Sequence, residues 1–189
     1  KDDGITPSAL DDFATDTNVV DRDAEIFTGR LSWDYAPADN PLLDLSVLAY
    51  VNTLDITEDR VFDARADTTK YDTFGFEAVN RSEFDIGLPI NLVYGVEIVR
   101  DEQTGTRNGA DKLQFPDASI TSYAGFAEAT INVTPELAIM PGVRVDRFEL
   151  NPSGALADRN ETEFLPRIGF SWRPVKGVQI YGNAARAFR

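Results

Sequence analysis

Residues 122–151 read SYAGFAEATINVTPELAIMPGVRVDRFELN, and apolar and polar side chains alternate through most of this stretch. The first half carries apolar or small residues at every second position: Tyr123, Gly125, Ala127, Ala129, Ile131 and Val133. Thr134–Glu136 supplies a turn, and the apolar face resumes at Leu137, Ile139, Pro141, Val143 and Val145. Because successive side chains of a strand point to opposite faces, the stretch predicts a β-hairpin with one apolar and one mixed face.

The same unit occurs four times: two alternating segments, a short turn and then a longer polar stretch. Beside the hairpin at 122–151, the sequence predicts strands at about 24–35, 42–56, 70–84, 88–101, 161–173 and from 178 onward. Short turns fall at 37–41, 85–87, 134–136 and 174–177, and long polar loops at 57–69, 102–118 and 151–160. Short turns that alternate with long loops are typical of transmembrane β-barrels, and most of these strands exceed the roughly 9–11 residues needed to cross a bilayer.

Composition excludes several classes of protein. The net charge of −14 argues against binding to nucleic acid, whose phosphates need a basic surface. No apolar run approaches the ~20 residues of a transmembrane helix. The absence of cysteine excludes disulfides and thiolate chemistry, and the absence of histidine removes the commonest general base and metal ligand. We therefore predict that the chain is not an enzyme.

The first 23 residues are polar and acidic, and we expect a solvated loop there. Clustered carboxylates can bind calcium, but the segment lacks an ordered series of oxygen ligands around a glycine turn. Two prolines, Pro141 and Pro166, fall inside predicted strands. Because proline cannot donate a ladder hydrogen bond, they predict bulges or local breaks in pairing.

The alternation assigns side chains to the two faces of a barrel wall. We expect one set to meet lipid: Leu45, Val47, Ile139, Val143, Ile168 and Phe170. The opposite face would line the lumen with Asp44, Tyr50, Asn52, Glu97, Arg144, Asp146 and Arg167. Trp33, Tyr35 and Trp172 lie next to short turns, where an aromatic girdle would meet the membrane interface.

Two alternatives remain open on these patterns. One is a small closed outer-membrane barrel with an adhesive or structural role. The other is a soluble β-sandwich or lipocalin-like binding module, which predicts that the faces carrying Val47, Val51, Phe170 and Trp172 are buried in protein.

Motifs in the last 70 or so residues resemble a known family. Tyr123–Glu128 followed by Pro141–Asp146, with its Gly-x-Arg-x-Asp pattern, resembles a recurring hairpin of TonB-dependent outer-membrane receptors. Leu165–Pro174 followed by Gly177–Asn183 resembles the next hairpin, and Ala187-Phe188-Arg189 looks like the start of that family's Phe-Arg-Ala-Pro box. A shorter likeness, Asn80–Phe84 followed by Leu92–Glu97 and Arg100-Asp101, is similar to a hairpin of the haem and haemoglobin receptors.

The resemblance implies an all-β antiparallel meander of about eight long strands, one arc of a barrel of about 22 strands. Residues 1–189 would be an internal part of the barrel domain, without the N-terminal plug and the C-terminal barrel strands. The implied protein is an active-transport receptor in the outer membrane of a Gram-negative bacterium, driven by the TonB–ExbB–ExbD complex. Its partners would be outer-membrane lipid, its own plug and the transported ligand.

The transported ligand implied by the resemblance is haem, a haemoprotein or a ferric siderophore. The fragment itself would hold no cofactor. The candidate binding residues are Arg144 and Arg167, whose guanidinium groups suit planar carboxylates, together with Tyr50 and Glu97 on the same predicted face.

Overall fold

The computed structural model describes residues 2–4, 20–60, 64–112, 117–154 and 156–187. These residues form one antiparallel sheet. The strands are β1 Asp2–Gly4, β2 Val20–Tyr35, β3 Asp44–Arg60, β4 Arg65–Asp85, β5 Pro89–Arg107, β6 Ala110–Asp111, β7 Ala118–Asn132, β8 Leu137–Pro152, β9 Arg159–Val175 and β10 Val178–Ala185. No helix in the described ranges is long and apolar enough to cross a membrane.

The strands follow one another across the sheet in chain order. Each pairs with its sequence neighbour, except that β5 pairs with β7, and the two-residue β6 folds back on the end of β5. Among the described residues β1 pairs only with β2 and β10 only with β9, so the sheet is an open meander. The predicted all-β meander and all eight predicted strands are confirmed, while β1 and β6 were not predicted.

The predicted long loops were too long. The strands run on into them, so that β3 extends to Arg60 and β5 to Arg107. The loop predicted at 151–160 shrinks because β9 begins at Arg159. These strand ends consist almost entirely of polar residues, and an all-polar strand shows no apolar alternation by which to recognise it.

The two strand prolines behave differently. Around Pro141 the β7–β8 pairing passes from Glu128–Gly142 to Ile131–Ile139 with no paired residues between, so the predicted local break is confirmed. Pro166 pairs with Val143 inside an unbroken β8–β9 register, so the predicted break is wrong on the side of β9 that faces β8. On the other side Pro166 lies at the end of the β9–β10 ladder, where its carbonyl accepts a hydrogen bond from the Arg186 amide.

The sheet is a single layer with almost no core. Val79 and Ala124 are the only hydrophobic residues that are buried in the described ranges. Large apolar side chains remain open on one face, among them Phe164 at 54%, Phe170 at 42% and Trp172 at 44% exposed. The β-sandwich alternative requires these faces to be covered by a second sheet, and no second sheet is present among the described residues.

The two faces of the sheet differ in chemistry, as the alternation predicts. We call the face with Leu45, Val47, Val143, Ile168 and Phe170 the apolar face, and the opposite one the polar face. On the long strands the apolar side chains of this face lie nearer the short turn and give way to polar or charged ones further along. On β4 the change falls between Phe74 and Asp72, and on β5 between Ile98 and Arg100. The apolar side chains of this face therefore form a band next to the short turns, which we call the apolar band. The strands continue well beyond it.

Trp33 and Tyr35 stack beside the first short turn, with ring centroids 5.8 Å apart and planes 6° from parallel. They lie on the apolar face at the edge of the band. A role as interfacial girdle stays a prediction.

Large rings cover glycines on neighbouring strands. Tyr50 pairs with Gly75, and a Cβ placed on Gly75 would lie 2.1 Å from Tyr50 Cε1. Phe170 covers Gly182 in the same manner, and at Gly95 a Cβ would lie 2.5 Å from the Ala78 carbonyl oxygen and 3.0 Å from the Phe126 ring. Such ring-over-glycine pairs fix the register of strands that have no core to hold them.

Candidate functional site

The centre of the polar face carries a row of four acidic residues, on β4, β5, β8 and β9, with an alanine at the same level on β7. The pairing register aligns Glu77 on β4, Glu97 on β5, Ala124 on β7, Asp146 on β8 and Glu163 on β9. Residues opposite one another in an antiparallel ladder lie within about 5.5 Å, so Glu77 and Glu97 are close like charges.

Arg144 on β8 neutralises part of this row. Its Nε donates to both carboxylate oxygens of Asp146, at 2.8 and 3.1 Å, and its Nη2 donates to Glu97 Oε2 at 2.9 Å. The guanidinium also lies 5.9 Å from the centre of the Phe126 ring, a cation–π contact. Asp146 is buried and depends on this arginine, while Glu77 has no ion pair with any residue the structure describes.

A second set of contacts extends the network toward β10. Arg167 forms an ion pair with Glu128, and Arg186 Nη2 lies 3.1 Å from Glu163 Oε2. Together these side chains surround an open cavity of about 420 Å³, lined by Glu77, Glu97, Phe126, Glu128, Arg144 and Arg167. The cavity presents both carboxylates and guanidinium groups, so it suits a polar partner with charges of both signs.

The structure brings three of the four predicted binding residues together. Arg144, Arg167 and Glu97 line the cavity. Tyr50 lies on the same face but on β3, where its ring covers Gly75, and it does not line the cavity. Of the other residues predicted to face the lumen, Asp44, Asn52 and Asp146 also lie on the polar face.

Glu77, Glu128 and Phe126 were not predicted as site residues from the sequence. The alternation within residues 122–132 places Phe126 and Glu128 on the polar face of β7. Their contact with β8 and β9, however, depends on the pairing register. No cluster of three metal-binding side chains occurs in the part of the chain that is described. Most of the acidic segment considered for calcium lies outside the described residues.

Comparisons with known proteins bear on the whole sheet. A family model described as TonB dependent receptor-like, beta-barrel matches residues 2–189. No curated protein sequence matches the chain significantly.

Solved receptor structures share the fold at low sequence identity. The haemophore receptor HasR of Serratia marcescens matches 86% of this chain with a TM-score of 0.71 and 22% identity, over 30% of its own chain. The alcaligin outer-membrane receptor FauA of Bordetella pertussis matches 87% with a TM-score of 0.74 and 12% identity, over 29% of its chain. The copper transporter OprC matches 90% with a TM-score of 0.72 and 17% identity, over 31% of its chain. The present chain thus spans about a third of the length of these proteins.

Proposed function

Because this chain belongs to the TonB-dependent receptor β-barrel family, whose model matches residues 2–189, we propose that it forms part of the wall of an outer-membrane active-transport receptor. The receptor takes up an iron-containing ligand, either haem or a haemoprotein or a ferric siderophore. TonB, with ExbB and ExbD, supplies the energy. The receptor carries its ligand across the membrane without chemical change and is not an enzyme.

The apolar band is the observation that carries this proposal. A single-layer sheet with a band of aromatic and aliphatic side chains across one face has no protein core to stabilise it. Lipid on that face removes this surface from water, which is worth about 25 cal/mol for each Å² of apolar area. On β5 the band runs from Ile90 to Ile98, and the strand continues beyond it. This height fits the roughly 9–11 residues with which a strand crosses the bilayer in outer-membrane barrels.

The polar face then faces the interior of the barrel, where the receptor's own plug domain would lie. Charged groups would face the plug or the passing ligand, and they belong to Arg144, Arg167 and Glu97. Tyr50 would lie on the same wall, on β3. The end of the sheet with the short turns would face the periplasm, and the end with the long loops would face the exterior, as in barrels of this type.

The matched structures support both classes of ligand. HasR is a haemophore receptor and FauA an alcaligin receptor, and each shares the fold over nearly all of this chain. A haem or haemoprotein ligand is also supported by the likeness of Asn80–Phe84 and Leu92–Glu97 to the haem-receptor hairpin. We keep haem and ferric siderophore as the two ligands to be separated by experiment.

The test is uptake by the full-length gene product. A bacterial strain that lacks its own iron receptors would be supplied with this gene and grown on haem or on single ferric siderophores, with and without a functional TonB. We expect growth on one iron source that disappears when TonB is inactivated. Growth that does not require TonB, or a gene product absent from the outer membrane, would refute the proposal. Growth on haem alone would exclude siderophores as the ligand.

A further inference from the structure

The balance of charge is reversed at the long-loop end of the polar face. The chain as a whole has 32 acidic and 18 basic residues. At this end three basic side chains surround the carboxylate of Asp67, and a fourth, Arg60, lies opposite one of them on the neighbouring strand. We call Arg60, Arg65, Asp67, Arg107 and Lys112 the loop-end cluster. Arg65 forms an ion pair with Asp67, Arg107 Nε donates to Asp67 Oδ1 at 3.1 Å, and Lys112 Nζ lies 3.9 Å from Asp67 Oδ2.

The cluster contains cations in close opposition. Arg60 on β3 is the direct cross-strand partner of Arg65 on β4. Like charges in this arrangement destabilise a sheet. Arg60 makes no ion pair with any described residue, and the nearest glutamate on its face, Glu58, is already bound by Arg22 through Nε at 2.8 Å. A carboxylate from outside the sheet would relieve this repulsion.

Two of the basic side chains, those of Lys112 and Arg107, are also held in place. Lys112 is only 9% exposed, because its chain lies against Gly105 and its Nζ donates to Thr69 Oγ1 at 3.1 Å. Arg107 keeps 37% of its side chain exposed while Asp67 holds its Nε. Fixed guanidinium groups bind planar anions with less loss of conformational entropy than mobile ones.

The excess of positive charge is confined to the polar face. Asp67 and Glu77 lie on the same face of β4, since the β4–β5 register is unbroken from Asp67–Arg107 to Glu77–Glu97. On the opposite face at this end every basic residue has an acidic neighbour, in the pairs Lys70–Asp72, Arg100–Glu102 and Arg147–Glu149. The cluster therefore points toward the interior of the barrel and away from lipid.

We propose that the loop-end cluster is the entry site for an anionic ligand, whose carboxylate groups bind Arg60 and Arg107. Arg60 on β3 and Arg107 on β5 lie on either side of β4. Two guanidinium groups separated in this way suit a ligand that carries more than one carboxylate, such as a carboxylate iron chelate or the propionates of haem. The identity of this anion as transported cargo rests on the proposed uptake function. The binding site itself rests on the contacts of Arg65 and Arg107 with Asp67 and on the position of Arg60 opposite Arg65.

The experiment measures equilibrium binding of ⁵⁵Fe-labelled ferric citrate, a multiply carboxylated chelate, to the purified full-length receptor in detergent. The test variant is Arg60→Gln combined with Arg107→Gln, which leaves Asp67 with Arg65 and Lys112. The matched control is Arg147→Gln, the same change on the apolar face. We expect saturable binding that the double variant weakens by about tenfold per arginine, the effect of one charge-assisted hydrogen bond, with no effect of the control.

Three results would overturn the proposal: no saturable binding to the unmodified receptor, equal binding by the double variant, or an equal loss in the control. Heat-modifiable migration of each variant on a gel shows that the barrel is intact. The uptake assay separates this inference from the proposed function, because anion binding that depends on Arg60 and Arg107 without TonB-dependent uptake would refute only the transport role.

Discussion

Arg144 shows how one side chain organises the centre of the polar face. Its guanidinium reaches Asp146 on its own strand and Glu97 two strands away, and it lies over the ring of Phe126. A lysine ammonium offers no planar fork with which to serve two carboxylates at once. Three carboxylates of the acidic row, at Glu77, Glu97 and Asp146, would then repel one another with less compensation.

We therefore expect Arg144→Lys to lower the free energy of unfolding by about 1–3 kcal/mol, the range for hydrogen bonds to charged groups. The measurement is urea unfolding of the refolded full-length barrel in phospholipid vesicles. Arg147→Lys is the control, because Arg147 binds the single carboxylate of Glu149 on an exposed site. Equal effects of the two substitutions would contradict the bridging role of Arg144.

Asp67 gives the loop end a dependence on pH. The hydrogen bond from Arg65 lowers the pKa of Asp67 to about 2 from its usual 3.8, and Arg107 and Lys112 act in the same direction against the opposing effect of burial. Asp67 lies beyond the apolar band, which ends at Phe74 on this strand. Because its folded pKa is depressed, Asp67 contributes stability above its unfolded pKa, and this contribution disappears as the pH falls from about 4 toward 2.

Asp67→Asn should accordingly destabilise the loop end of β3–β5 at neutral pH and have a shrinking effect below pH 4. Amide hydrogen exchange at β4 residues, compared between the unmodified barrel and the variant from pH 7 to pH 3, measures this difference. A destabilisation of the same size at every pH would show that the lost interaction is not that of the charged carboxylate.

At the scale of strands, the contact between Tyr50 and Gly75 ties β3 to β4. A methyl group on Gly75 would collide with the Tyr50 ring. We expect Gly75→Ala to cost about 1–3 kcal/mol, the usual effect of overpacking. The cost should fall when Tyr50→Ala is present as well, because the obstructing ring is gone.

Gly125 is the matched control, since it also lies inside a long strand but a Cβ there would meet nothing within 4 Å. Gly125→Ala should leave stability unchanged or raise it slightly. An effect of Gly75→Ala that persists in the Tyr50→Ala background would show that the ring does not cause it.

The apolar band makes its own prediction at the level of strands. Val143 lies on the apolar face of β8, near the middle of the band. Val143→Arg should cost about 2–4 kcal/mol in a bilayer, as for arginine near the midplane of an outer-membrane barrel. Val93→Arg is the control, because Val93 lies on the polar face of β5 and faces Glu128 on β7. Equal costs for the two would mean that the assignment of faces is wrong.

For the molecule as a whole, the sequence predicted what depends on local alternation and missed what depends on pairing. The eight long strands and the two faces follow from the period of two, as in Tyr123–Ile131. The polar strand ends, such as residues 57–60, carry no apolar signal, so the loops were predicted too long. Arg107 and Asp67 are 40 residues apart in the chain and meet only through the β4–β5 register, which no local pattern specifies.

In the candidate site, too, local alternation predicted some features and strand pairing determines the others. Arg144, Arg167 and Glu97 were predicted because each alternates with apolar neighbours on its strand. That they surround one cavity, and that Tyr50 is not part of it, follows from the order and register of β3–β9. The absence of a closed core explains why burial could not guide the prediction: few residues of this sheet are buried.

The placement of the apolar face in the membrane is tested most directly by the environment of single residues along β8 in the full-length receptor. This segment contains no cysteine, so cysteines carrying a spin label can be introduced one at a time from 137 to 147. Accessibility to oxygen, which concentrates in lipid, and to a water-soluble nickel chelate is then measured in lipid vesicles. We expect maxima of oxygen accessibility at Ile139, Val143 and Val145 and lower values at Met140, Arg144 and Asp146. An absence of this alternation, or its reversal, would contradict the placement of the apolar face in the membrane.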